Sequence, residues 1–128
     1  MVSSAAKLEV EPLSRLCKAL GDETRIRIVA LLSHGELCVC HVEDALGLSQ
    51  PTASRALAVL RAAGVVARRR TQSWAYYRLA EQPDELADRA MRGIVRAFAN
   101  QATLRRDIER LRLVSGPERC SKPPEKSR

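Results

Sequence analysis

The stretch that decides the fold is "ELCVCHVEDALGLSQPTASRALAVLRAAGVV", residues 36–66. Within it, "CHVEDALG" reads as a short helix closed by Gly47. Ser49 then caps "QPTASRALAVLRAAG", and Pro51 sits in the first turn, where its missing N–H costs nothing. Gly64 ends the second helix. Two helices joined by "GLS" form a helix-turn-helix signature. Ala56, Leu57, Val59 and Leu60 are placed to hold the second helix on a core. Ser49, Gln50, Thr52, Ser54 and Arg55 crowd its N-terminal end. An exposed helix lying in the DNA major groove presents that end to base edges.

Past Gly64 the period changes from helical to alternating. "VVARRR" and "WAYYRL" are β-rich, and "TQS" joins them into a hairpin. Arg68, Arg69 and Arg70 lie on one arm, with Gln72 and Ser73 at the tip. This is the composition of a wing, whose basic residues suit phosphates or the adjacent minor groove. A plain helical hairpin beside a structural ribbon would explain any one of these features. Their agreement in order favours a DNA-binding module.

Upstream, "EPLSRLCKAL" places Leu13, Leu16, Cys17 and Leu20 at helical spacing, with Pro12 near the helix start and Gly21 at its end. Asp22 caps "ETRIRIVALLS", which is expected to turn Ile26, Val29, Ala30 and Leu32 inward and Arg25 and Arg27 outward. "HGELCV" is a connector that can hold a short strand. Downstream, residues 84–113 read as one long helix. Leu86, Ala90, Ile94, Ala97, Leu104, Ile108 and Leu111 form an apolar stripe close to a heptad. A helix of about 30 residues, at ~1.5 Å rise each, is too long for so small a core to cover. The stripe therefore predicts a homodimer through the terminal helices. The expected organisation is a flexible N-terminus over 1–10, a winged-helix DNA-binding and dimerisation domain over 11–113, and a polar, Pro-rich, disordered tail over 114–128.

Composition agrees with this class. The 128 residues suit one mainly helical domain, with a core of Leu, Val, Ile and Ala because the aromatics are so few. Lys and Arg number 22 against 15 Asp and Glu, and the net charge of +7 favours a polyanionic partner. No apolar run approaches the roughly 20 residues that span a bilayer. The N-terminus "MVSSAAKLEVEPL" lacks the pattern of a signal peptide. A cytoplasmic location follows as an expectation, with thiols kept reduced. Cys17, Cys38, Cys40 and Cys120 then read as free thiols or metal ligands.

"LCKALGDETRIRIVALLSHGELCVC", followed by "LGLSQPTASRALAVLRAAGVV" and "YYRL", resembles the ArsR/SmtB family of bacterial metal-responsive repressors over about residues 12–100. The resemblance implies a winged-helix homodimer that blocks an operator until an inducer binds. "ELCVC" is similar to the opening of the metal-binding helix in arsenite/antimonite sensors and in cadmium/lead sensors. The first type often carries a third cysteine where this chain has Glu43. The second adds cysteines ahead of the first helix, where here only Cys17 is near. The zinc site of the family's last helix needs His ligands that residues 84–113 lack.

The chemistry of Cys38 and Cys40 follows from their spacing. In a strand, residues i and i+2 point the same way, about 6.6 Å apart. In a helix they diverge by roughly 200°. A chelate on both thiols is therefore expected to unwind or tilt the start of helix 40–47. A helix N-terminus favours the thiolate that binds soft metals. Trivalent arsenic and antimony prefer three thiolates; Cys120 on the tail can supply the third, and a two-thiol site completed by a small thiol or hydroxide is an equal alternative. Cys17 is the lesser choice, since a cysteine on an apolar helix face is more often a small buried hydrophobe. His34, His41, Glu43 and Asp44 read as solvated side chains, as do Arg105, Arg106, Arg110 and Arg112. A cadmium/lead sensor and a thiol-redox sensor of the same fold stand as alternatives. A thiol enzyme is remote, because neither a CxxC nor a phosphate-binding loop is present.

Overall fold

The computed structural model describes the backbone of residues 2–114 and the side chains of residues 10–114. Among the described residues, six helices and three strands follow in the order α1 Val2–Ala19, α2 Glu23–Leu32, β1 Leu37–Cys38, α3 Val39–Leu46, α4 Gln50–Ala62, β2 Val66–Arg70, β3 Ala75–Leu79, α5 Glu85–Ala97 and α6 Ala102–Val114. A 3-10 turn, Phe98–Asn100, separates the last two helices. The strands form an antiparallel sheet in the order β1-β3-β2. This is a winged helix-turn-helix, mainly α with a β-hairpin wing.

The caps read from sequence hold their places. The Asp22 carboxylate accepts the Arg25 backbone N–H at 3.1 Å; Asp84, read from sequence only as part of the long helix, also acts as a cap and accepts the Ala87 N–H at 3.0 Å. The Ser49 hydroxyl accepts the Thr52 N–H at 3.3 Å. Gly47 and Gly64 stand at φ 67° and 78°, the left-handed region that a side chain with a Cβ disfavours. The core is aliphatic, built on Leu16, Ile28, Val29, Leu31, Val42, Leu57, Leu60 and Val65.

Several expectations are corrected. Helix α1 begins at Val2, well ahead of Pro12, which lies inside it. Cys17 is exposed on α1, so it is not a buried core thiol. Val59 is 42% exposed and turns away from the core that Ala56, Leu57 and Leu60 join. Arg27 does not point to solvent but pairs with Asp107 through bonds of 2.8 and 2.8 Å.

The largest departure is the long helix. It breaks after Ala97, and Gln101 takes extended backbone (φ −87°, ψ 127°). The Gln101 side chain then caps the new helix, accepting the N–H groups of Thr103 and Leu104 at 2.8 and 3.3 Å. Helix α6 folds back on α2 and α3 of its own chain and buries Leu104, Asp107 and Leu111. Half of the apolar stripe is thus covered within one chain, which removes helix length as an argument for a partner. Residues 115–128, and with them Cys120, lie outside the described residues.

Candidate thiol site and DNA-binding surface

Cys38 closes β1 and is also the N-cap residue of α3, with φ −71° and ψ 149°. An N-cap side chain leans over the first turn of its helix, the position from which Ser or Asp would accept a backbone N–H. Cys40 is the second residue of that turn. The two sulfurs meet 2.9 Å apart, and both cysteines are buried. Neither strand nor helix spacing describes this geometry; the junction between them creates it. The start of α3 therefore need not unwind for both thiols to reach one ion, contrary to the expectation from regular helix. Bonds of about 2.3 Å to a shared centre, at angles of 90–109°, put two sulfurs roughly 3.3–3.8 Å apart.

The donor set fits part of a soft-ion site. Among the described residues, no group of three His, Cys, Asp or Glu side chains could close on one ion. Cys17 therefore completes no such group. His34 is exposed, and His41, Glu43 and Asp44 are half-buried on α3.

The sheet ties this pair to the wing. Cys38 on β1 stands opposite Tyr76 on β3, and Tyr76 stands opposite Arg69 on β2. Directly opposed residues share a face, so the three form one row across the sheet. The Arg69 guanidinium lies 4.6 Å from the Tyr76 ring centroid and donates to the Glu36 carboxylate at 2.7 and 3.1 Å. That two-pronged bond holds the Glu36 carboxyl below its ordinary pKa and raises that of Arg69. The roles of Glu36 and Tyr76 were not read from the sequence. A signal existed, since alternation places Glu36 and Cys38 on one face of an extended segment.

Helix α4 is packed through Ala53, Ala56, Leu57 and Leu60. Its opposite face exposes Gln50, Ser54 and Arg55, while Thr52 is half-buried. The Gln50 side-chain amide donates to the Ser54 hydroxyl at 2.9 Å, and the Ser49 hydroxyl donates to that of Thr52 at 2.9 Å. Arg55 makes no ion pair among the described residues. On the wing, the Thr71 N–H bonds the Trp74 carbonyl at 3.0 Å, leaving Gln72 and Ser73 exposed at the tip. Arg68 and Arg70 are exposed. Arg69 is exposed too, but its charge is taken by Glu36, so of the wing arginines Arg70 and Arg68 are better placed for phosphates.

The family model described as bacterial regulatory protein, arsR family, matches residues 22–68, from the cap of α2 into the wing. The arsenic resistance transcriptional regulator ArsR1 of Pseudomonas putida is 45% identical over 107 residues, covering 83% of this chain and 80% of that protein. The arsenical resistance operon repressor of Escherichia coli is 53% identical over 66 residues, 51% of this chain and 56% of that repressor. Among solved structures, the homodimeric winged helix-turn-helix domain Mb0332 of Mycobacterium bovis matches with a TM-score of 0.59 at 33% identity, over 78% of this chain and 87% of that one.

Proposed function

Because the chain belongs to the arsR family of bacterial regulatory proteins, we propose that it represses transcription from an operator and is released when trivalent arsenic or antimony occupies Cys38 and Cys40. One observation carries the reading: two buried sulfurs 2.9 Å apart at the start of the helix that packs on α4. Such a centre supplies bonds to soft thiolates and nothing else. The chain's own residues supply the response. An ion held by both Cys38 and Cys40 ties β1 to the N-terminus of α3, and α3 packs against α4. Induction requires a coupling free energy between the two sites, and the shared helix α3 is the element proposed to carry it.

Cys120 is the proposed third thiolate. It follows Val114 by six residues, a reach of at most about 20–22 Å. Cys17, exposed on α1, is the lesser alternative and would have to come from a second copy, since it completes no three-ligand group among the described residues of one chain. The DNA surface is Ser49, Gln50, Thr52, Ser54 and Arg55 on α4, with Arg69, Arg70, Gln72 and Ser73 on the wing. Of these, Ser49 acts as the helix cap and Arg69 through its clamp. Two copies would sit on a pseudo-palindromic operator. Helix α5, with Leu86 40% exposed and Gly93 and Ala97 exposed beside it, is the proposed dimer face together with α1.

The test is a fluorescence-anisotropy titration of the protein–operator complex under reducing conditions. Arsenite, antimonite, cadmium, lead and zinc are added separately to wild type and to a Cys38→Ser/Cys40→Ser variant. The expected result is release by arsenite and antimonite in wild type only. Release by cadmium or lead alone would replace the metalloid with a divalent soft ion. A double variant that no longer binds the operator would make the cysteines structural.

A further inference from the structure

We infer that Glu36 and Arg69 are positioning residues of the switch, carrying occupancy of the thiol pair to the wing through the row Cys38, Tyr76 and Arg69. The inference rests on the thiol pair being the effector site, and it adds a second route to the one through α3 and α4.

The geometry is specific. Residues 36–40 hold both ends of the device, the Glu36 carboxylate and the two thiols. Strand β1 is only Leu37–Cys38, and it pairs with β3 through Leu37–Tyr77 and Cys38–Tyr76. The Cβ atoms of directly opposed residues lie about 4.5–5.5 Å apart, so a group bound at Cys38 borders the Tyr76 ring. Arg69 covers that ring from the next strand and grips Glu36 with two of its nitrogens. The wing is therefore fastened to the thiol segment twice, once by backbone pairing and once by the Glu36–Arg69 clamp. An ion held by both sulfurs replaces their mutual contact and fixes Cys38 relative to Cys40. Since β1 is so short, any shift of Cys38 passes into its pairing with β3 and through Glu36 into β2. The ion pair is exposed, and exposed pairs contribute little to stability. A bond that is directional yet weak in stability suits a lever better than a brace.

Trp74 is the single tryptophan and lies in the turn of the wing, so its emission reports the wing. Arsenite is added to full-length wild type, to Glu36→Gln and to Arg69→Gln, all reduced. Occupancy is read apart from emission, as the two thiols that become protected from a disulfide reagent and that Cys38→Ser/Cys40→Ser lacks. The expected result is that occupancy shifts Trp74 emission in wild type, and that both clamp variants protect their thiols equally while losing most of the shift. The ratio of operator affinities without and with arsenite should also shrink by roughly 2- to 30-fold in the variants. A merely structural Glu36 would change the urea midpoint and leave that ratio alone. Thiol protection with no emission change in wild type, or an undiminished change in both variants, would overturn the lever. If arsenite protects no thiol, the proposed function fails, and the lever is read with Cd2+ on the same three proteins. If Cd2+ also protects none, there is no occupied state to transmit and the lever fails as well.

Discussion

Two carboxylates in this molecule each hold an arginine through two hydrogen bonds, and the two places could hardly differ more. Asp107 reaches back 80 residues from α6 to Arg27 on α2, and it is 5% exposed. Glu36 reaches forward 33 residues from the start of β1 to Arg69 on the wing, with half of the Arg69 side chain in solvent. The first pair raises the Arg27 pKa against the opposing effect of burial. The second lowers that of Glu36, again against an opposing effect of burial. Identical chemistry thus serves opposite ends. A buried pair whose partner is removed leaves a charge without solvent, so it fastens α6 on the body. An exposed pair separates at small cost, so it can orient a wing without locking it.

The sharpest way to break this contrast is to remove one partner of the buried pair. Asp107→Asn should lower stability by about 2 kcal/mol, short of the ~3–5 kcal/mol of a fully buried pair because Arg27 keeps 29% of its side chain exposed. The urea midpoint reads this directly. Arg27→Met with Asp107→Leu should recover most of the loss, since an apolar pair of similar volume is no worse than a buried ion pair. An Asp107→Asn protein as stable as wild type would put both pairs in the same exposed class.

A third arginine sharpens the contrast from outside. Arg55 has no ion pair among the described residues and stands exposed on α4. Arg55→Ala should leave the urea midpoint unchanged and weaken operator binding by ~1–3 kcal/mol if it reads a base. A uniform loss on all sequences, with the salt slope shallower by about 0.9, would make it a phosphate contact instead. No loss at all would move the reading surface off α4.

These pairs also mark where the sequence was legible. Asp22, Ser49, Gly47 and Gly64 act on backbone within three or four residues, so their helices could be read locally. The helix-turn-helix and the wing followed from such signals and from alternation. The break after Ala97 could not be read this way, because Leu104, Ile108 and Leu111 continue the apolar stripe in phase across it. What decides the break is tertiary: α6 has its own apolar seat on α2 and α3, a partner for Asp107, and a cap in the amide of Gln101. The closeness of the two thiols did not follow from strand or helix spacing, since an N-cap residue is extended while its side chain already faces the helix. The Glu36–Arg69 clamp needed the sheet order β1-β3-β2, and a two-residue strand announces no order.

The smallest expected effect tests the exposed pair on its own terms. Glu36→Gln should leave the urea midpoint at neutral pH unchanged, as for most surface substitutions. The sign of the pH effect is fixed by the direction of the shift. A carboxyl with a lower pKa folded than unfolded adds stability above its unfolded value, about 4.3 for glutamate, and loses it as pH falls through the folded one. The clamp is therefore intact throughout pH 6–8, and any change in operator binding across that range arises elsewhere. A carboxyl-detected NMR titration of Glu36 should show its midpoint below the ordinary glutamate value in wild type, moving up toward it in Arg69→Gln. A wild-type midpoint at or above that value would mean that the carboxylate is not held by Arg69 in solution, and the contrast between the two pairs would reduce to a contrast between a pair and a chance neighbour.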